Sequence, residues 1–450
     1  MSSPISNLPS EILVAVFQAG ISVESQWASK GLQSLPVIVS QVCRLWRSIA
    51  MDSAELWSII YVDLGDQISY LHAKVYVARS HGRALQVQID CTKEDDESME
   101  RVDLITDMAP RISELIITVR TMSMVEILLA AVDGAPLLRR LEYEVIKDDH
   151  ERKHRLWDFP HKPSAQLPAL QHLKANRGCS GCAPRLEGIV YLHITQLPPS
   201  ALAGVIRDCP SLETLVLPRF KPWDNAGLVQ ALAPVESPTI KRFAVEMMRS
   251  ATVGPCVSLL MPNLEYLEIL DDRETTSDEL SQIFPASTNM SDSSNPFPRL
   301  HALHLHGGID FRRSLSLAFL RSLASVRHLI LTNIYSLPTC REYWPDLQSV
   351  HIDTVLFDGE SSTGLFLTPG DVKIFAEARG VDIVVTDDES VRADLPFQRL
   401  PPGEYGLITS AGEYDEFDSE VELDLLDGLE YATEWDDESE DYDDDYYDDI

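Results

Sequence analysis

Apolar residues recur with helical spacing at the start of the chain and in a leucine-centred strand pattern through its middle. Leu8, Ile12, Leu13, Val16 and Phe17 share a helical period, and Pro9 and Glu11 suit a first turn that needs no N–H donor and favours negative charge. The spacing predicts a short amphipathic helix. Val39, Val42, Cys43, Trp46, Ile49 and Ala50 follow the same period, with Arg44 and Arg47 on the other side. Ser53 then stands as the cap of a further turn carrying Leu56 and Trp57. A module this small cannot bury so much apolar surface alone, so part of that surface is expected to dock on something else. A helix-like stretch, Tyr70 to Ser80, and an alternating strand, Leu85 to Ile89, come next.

From about Pro110 to Val385 one pattern returns: a Pro or small residue, a leucine, two residues, then leucine-x-leucine or its aliphatic equivalent. It is carried by Leu115 and Ile117, Leu138 and Leu141, Leu170 and Leu173, and Leu212, Leu215 and Leu217. Leu264, Leu267 and Ile269 repeat it, as do Leu300, Leu303 and Leu305, Val326, Leu329 and Leu331, and Leu347, Val350 and Ile352. The leucine-x-leucine pair buries one side of a strand, and the upstream leucine fills the interior at the turn into it. Pro at the head fixes φ and cannot extend a preceding helix. Helix-like stretches lie between strands at Val125–Val132, Ala201–Asp208, Asn225–Ala233, Ser277–Phe284 and Leu315–Ala324. This alternation resembles a degenerate leucine-rich-repeat array, an irregular solenoid with a curved parallel sheet on its concave side. The asparagine that completes regular repeats of this kind is largely missing. Lys147 to Pro163 and Ser287 to Pro298 read as long loops.

Charge changes the picture at the end of the chain. The formal net charge is −34, and 21 acidic residues with no Lys or Arg fall between Pro401 and Ile450. That density predicts a disordered tail, either merely solubilising or able to capture a basic protein through its carboxylates and through Tyr442, Tyr446 and Tyr447. Val421 to Leu429 mixes aliphatic and acidic residues and could fold on a partner. Direct nucleic-acid binding has little electrostatic support. Seven singly spaced cysteines fit reduced thiols in the cytoplasm or nucleus, and no apolar run approaches the ~20 residues that span a bilayer. No nucleotide-cradling glycine loop, zinc-protease or nucleophile-elbow motif occurs. Cys179 and Cys182 form a lone C-x-x-C without paired second ligands, and neither a metal nor a cofactor is expected. His301, His304 and His306 are read as sharing one strand face.

The N-terminal order, L-P-x-E-I-L-x-x-V-F from Leu8, then V-C-R-x-W-R-x-I-A from Val42, then Leu56-Trp57, resembles the F-box, in the form common in mushroom-forming fungi. The resemblance implies a non-catalytic subunit that binds a Skp-type adaptor of a cullin-RING (SCF-type) ubiquitin ligase. Adaptor contacts would fall on Leu8, Pro9, Ile12, Leu13, Val16 and Phe17. Val42, Cys43, Trp46, Ile49, Leu56 and Trp57 would be shared between the adaptor and internal packing. The expected organisation is an α/β chain with an F-box at 1–64, a connecting region at 65–108, the repeat array at 109–385 and an acidic tail at 386–450. The array would hold a protein substrate, with basic proteins favoured by the chain's charge. A non-ligase scaffold, with the helical hairpin capping the array and the tail binding basic proteins, is the alternative. The two differ in whether Leu8 and Pro9 face outward or pack inward.

Overall fold

The computed structural model describes residues 8–24, 35–93, 96–146, 166–176, 186–195, 197, 199–220, 235–247, 259–271, 297–307, 320, 323–332, 344–353, 377 and 380–386. The chain divides into units 1–408 and 409–450, and only the first contains described residues. The expected helices at 225–233 and 277–284, most of that at 315–324, the loop at 147–163, the C-x-x-C and the acidic tail beyond residue 386 lie outside them.

Three helices begin the fold: α1 (Ser10–Glu24), α2 (Leu35–Val42) and α3 (Arg44–Asp52). Pro9 precedes α1, and its carbonyl accepts from the amides of Ile12 and Leu13. Leu13, Phe17, Val39, Ile49 and Ala50 turn inward, and the Phe17 ring meets Trp46 edge-on at 5.0 Å. Ser53 stands at the N-cap position of the next turn, as expected, but its side chain makes no capping hydrogen bond there. The last turn of α3 leaves the Ile49 carbonyl without a helical donor, and the Ser53 hydroxyl donates to it at 2.7 Å. A short 3-10 turn, Ala54–Trp57, then leads into β1 (Ile59–Asp63).

From β1 onward the chain builds one sheet. Helix α4 (Gln67–Arg79), capped by Asp66 at the amides of Ile68 and Ser69, leads to β2 (Leu85–Cys91). Helices α5 (Asp96–Glu100) and α6 (Val102–Met108) precede β3 (Ile112–Val119), and α7 (Met122–Ala131) precedes β4 (Arg140–Val145). Then come β5 (His172–Ala175), β6 (Tyr191–Ile194), α8 (Pro199–Asp208), β7 (Thr214–Phe220), β8 (Val235–Glu236), β9 (Arg242–Met247), β10 (Leu259–Leu260) and β11 (Tyr266–Asp271). Strands β12 (Ala302–Gly307), β13 (His328–Thr332), β14 (Ser349–Asp353) and β15 (Asp382–Thr386) complete the series. Thirteen of these strands form one parallel sheet in chain order, while β8 and β10 pair only with each other. Parallel neighbours following one another in sequence order are what a leucine-rich-repeat-like array produces. The segment 65–108, expected as a connection, places β2 inside this sheet between β1 and β3.

The repeat is written in a turn. Buried Leu167, Cys209, Met261, Phe297 and Trp344 each offer a carbonyl to the amide three residues on, that of Leu170, Leu212, Leu264, Leu300 and Leu347. The residue after each is proline, which presets φ for the second position of such a turn. The leucines that follow pack into one continuous core. Asn176 restores one asparagine rung: its Oδ1 accepts from the Val145 amide at 2.9 Å.

Trp57 joins the helices to the sheet. Its indole is fully buried, its Nε1–H donates to the Ala50 carbonyl at 2.7 Å, and its ring meets Tyr76 of α4 edge-on at 5.0 Å, with the Arg79 guanidinium 4.4 Å from its centre. Trp57→Ala should cost about 3–5 kcal/mol of unfolding free energy, measured by urea titration. Trp57→Phe, which keeps an aromatic body and leaves the Ala50 carbonyl without its donor, should cost roughly half that or less.

Candidate functional site

The helical module has two apolar stripes. The inner one, with Leu13, Phe17, Ile49, Leu56 and Trp57, is the core described above, each residue at most 8% exposed. The outer one is made of Leu8, just before α1, and Ile12 and Val16 on its successive turns, which keep 40%, 49% and 56% of their surface, together with exposed Pro9. Ile38 and Val42 of α2 and Leu45 and Met51 of α3 also remain exposed. These exposed aliphatic side chains set the module apart from the buried leucines of the sheet.

Cys43 separates α2 from α3 and is exposed. Its Sγ accepts from the Trp46 amide at 3.5 Å, which caps α3, and Trp46 itself is half-buried against Phe17. Of the twelve residues expected to serve an adaptor, the structure brings Leu8, Pro9, Ile12, Val16, Val42 and Cys43 to the surface and leaves Trp46 at the boundary. Leu13 and Phe17, expected among the direct contacts, are only 2% and 3% exposed, and Ile49, Leu56 and Trp57 are internal. Helical period explains the division: Ile12 and Leu13 differ by one residue and so by about 100° around the axis. Ile38 and Leu45 belong to the exposed set and were not expected there. The signal for Ile38 was available, since it lies beside buried Val39, whereas Leu45 stands between exposed Arg44 and half-buried Trp46.

The face of the sheet turned away from the core carries polar rows on its first strands and a small apolar cluster around Val216, Ala244 and Tyr266 further on. Register places Glu114, Arg140, His172, Tyr191, Thr214 and Arg242 in one row across β3 to β9, and Ile116, Glu142, Lys174, His193, Val216 and Ala244 in the next. The first strands are laced by polar contacts. Gln86 donates to Glu114 at 3.1 Å, Arg140 reaches Glu142 at 2.6 Å, and the His172 ring sits 3.5 Å from Glu142 and stacks flat on Tyr191 at 4.0 Å. Burial alone would raise the Glu142 pKa. The adjacent His172 ring and the charges of Arg140 and Lys174 outweigh it and hold the carboxyl down at about 2. Further along, the Tyr266 hydroxyl donates to Glu268 at 2.8 Å and lies 3.1 Å from His304 Nδ1, while Ser349 bridges His328 and His351 at 2.9 and 3.1 Å.

The three histidines read as one strand face do not share it. Strand β12 starts at Ala302, so His301 precedes it, and an odd separation from His304 puts it out of phase. Among the described residues no cluster of metal-ligating side chains forms, and no helix is long and apolar enough to cross a membrane.

Comparison with known proteins places a family match on the helical module. Residues 5–63 match the F-box-like family model. An F-box/LRR-repeat protein of Arabidopsis thaliana is 30% identical over 105 residues, which cover 22% of this chain and 26% of that relative. The chain thus aligns with about a quarter of the length of the curated relative it matches. An F-box-like domain at the N-terminus followed by a parallel, leucine-rich sheet is what this chain contains.

Buried histidines on the far face make a pH prediction. Burial first, then the charge of Lys174, push His193 down to about 3. Folding therefore holds it neutral, whereas the unfolded chain takes up a proton below the ordinary histidine value. Its contribution is fully present above about pH 6.5 and falls as pH drops toward 3, by up to ~1.4 kcal/mol per pH unit. Urea unfolding at pH 7.5, 6 and 5 should show this slope, and His193→Gln should make the decline shallower. Equal slopes would contradict it.

Proposed function

We propose that this chain is a substrate receptor of a cullin-RING ubiquitin ligase. The outer stripe of its F-box-like domain binds a Skp-type adaptor, and its repeat array holds a protein to be modified. The observation that carries this reading is the outward orientation of Leu8, Pro9, Ile12 and Val16 on a domain whose inner stripe is already fully used. A helical cap serving only to close the array would turn those side chains inward. F-box proteins are in general non-catalytic adaptors, and the work of such a receptor is proximity: tethering raises the local concentration of the substrate near an enzyme supplied in trans.

The adaptor-contact set in this proposal is Leu8, Pro9, Ile12, Val16, Ile38, Val42 and Leu45, with Cys43 and Trp46 at its edge. Leu13, Phe17, Ile49, Leu56 and Trp57 act through packing. The joint at Trp57 supports the same reading, because a receptor that presents a substrate in a fixed place needs its adaptor-binding and substrate-binding parts to move together.

The test is a binding titration of the purified chain against a Skp-type adaptor. Ile12→Asp with Val16→Asp should weaken binding at least about a hundredfold, as loss of central contacts does, while leaving the thermal unfolding midpoint nearly unchanged. Leu13→Asp should instead unfold the module. No binding by folded wild-type protein would refute the ligase reading and leave the repeat scaffold.

A further inference from the structure

Helix α4, the first crossover helix of the sheet, has one face in use and one left open. Ala73 and Tyr76 are buried, and Tyr70 and Val77 pack partly buried against the core. On the opposite side Ile68, Leu71 and Val75 are 64%, 49% and 42% exposed, and Ala78 is exposed beside them. Steps of three, four and three residues put all four on one face of one helix, so a single rigid element holds them together in the open.

The charge around this stripe is opposite to that of the chain. The net charge is −34, yet the stretch from Gln67 to Ile89 contains Lys74, Arg79 and Arg83 and no Asp or Glu. Arg79 is committed to the Trp57 ring and Arg83 to Glu55. Lys74 is exposed, with its ammonium 4.4 Å from the centre of the Tyr70 ring on its own helix, and among the described residues it forms no ion pair. It lies three residues from Leu71 and four from Ala78, at the rim of the stripe, and exposed His72 stands at the other rim. The acidic groups at the borders of α4 are already engaged. Asp66 caps the amides of Ile68 and Ser69, and Glu97 is held at 2.6 Å by Arg101, whose guanidinium lies 5.9 Å from the Tyr70 ring.

We infer that the outer face of α4 docks an amphipathic helix of a partner protein, apolar along its centre and acidic along its rim. The apolar row of such a helix would cover Ile68, Leu71 and Val75, while the small side chain of Ala78 lets the two helices approach closely. A carboxylate at its rim would pair with Lys74, whereas a basic rim would set like charge against it. This surface rests on α4 alone and stands whether or not the chain serves a ligase.

The experiment titrates the full chain at pH 7.5 against two labelled helical peptides, read by fluorescence anisotropy. Both peptides carry leucines along one face; one has glutamates beside them and the other lysines. The glutamate peptide should bind, more weakly as NaCl is raised, and the lysine peptide should not. Leu71→Ser with Val75→Ser should weaken binding at least about tenfold with the thermal unfolding midpoint nearly unchanged, since both side chains are exposed. Lys74→Glu should also weaken it and admit the lysine peptide. Arg44 and Arg47 accompany exposed Leu45 on α3, so Ile12→Asp with Val16→Asp serves as the control and should leave peptide binding unchanged. No binding, equal binding of the two peptides, or loss of binding in the control alone would overturn the proposal. A dimer seen by sedimentation of the wild type and lost with Leu71→Ser and Val75→Ser would assign the face to a second copy and overturn it as well. Adaptor titration on the same preparations judges the ligase reading separately, since α4 lies beyond the F-box-like domain.

Discussion

Trp57 is the last side chain of the helical module and the first large one of the array, and the rest of the architecture depends on how it is held. Its indole N–H donates to the Ala50 carbonyl of α3, and its ring lies against Tyr76 and Arg79 of α4. One buried ring therefore satisfies a carbonyl at the end of the F-box-like helices and packs on the first crossover helix of the sheet. The consequence is continuity of core: Leu13, Phe17 and Ile49 of the helices belong to the same apolar cluster as the leucines of β3 and beyond. A hinge at this junction would expose Trp57 and Leu56 to water, at a cost of several kcal/mol.

With the inner stripe spent on that junction, the outer stripe has no intramolecular role. Leu8, Ile12, Val16, Val42 and Leu45 stay in water, where they weaken solubility unless a partner covers them. The far face of the sheet differs in kind. It combines ion pairs, a stacked ring pair and histidines held neutral by burial with a small apolar cluster of Val216, Ala244, Tyr266, Leu270, Ala302 and Ile330.

Much of this was legible in the residues. The eight leucine-rich copies fall on eight strands, because the leucines downstream and, in all but the copy at Val326, proline after a buried apolar residue specify turn and strand together. Strands β6 and β9 escaped because their turns lack that arrangement: Leu186 is followed by Glu187, and Phe243 stands where a leucine was sought. Strand β1 was hidden by lying directly after the F-box signature. On α1 the sequence shows apolar residues at both Ile12 and Leu13, and only the presence of Trp46 beside Phe17 decides which stripe is inward. The lacing of Arg140, Glu142, His172 and Tyr191 was not legible at all, since register across irregular repeats decides which of them meet.

The central claim is that the outer stripe of a rigidly joined F-box-like domain is the adaptor surface. Hydrogen–deuterium exchange of the full chain with and without a Skp-type adaptor tests it most directly. The account predicts added protection in the segments 8–20 and 35–52, with exchange in β1 and β2 already slow and little changed. Protection confined to the sheet, or fast exchange in β1 that slows only when the adaptor binds, would contradict it.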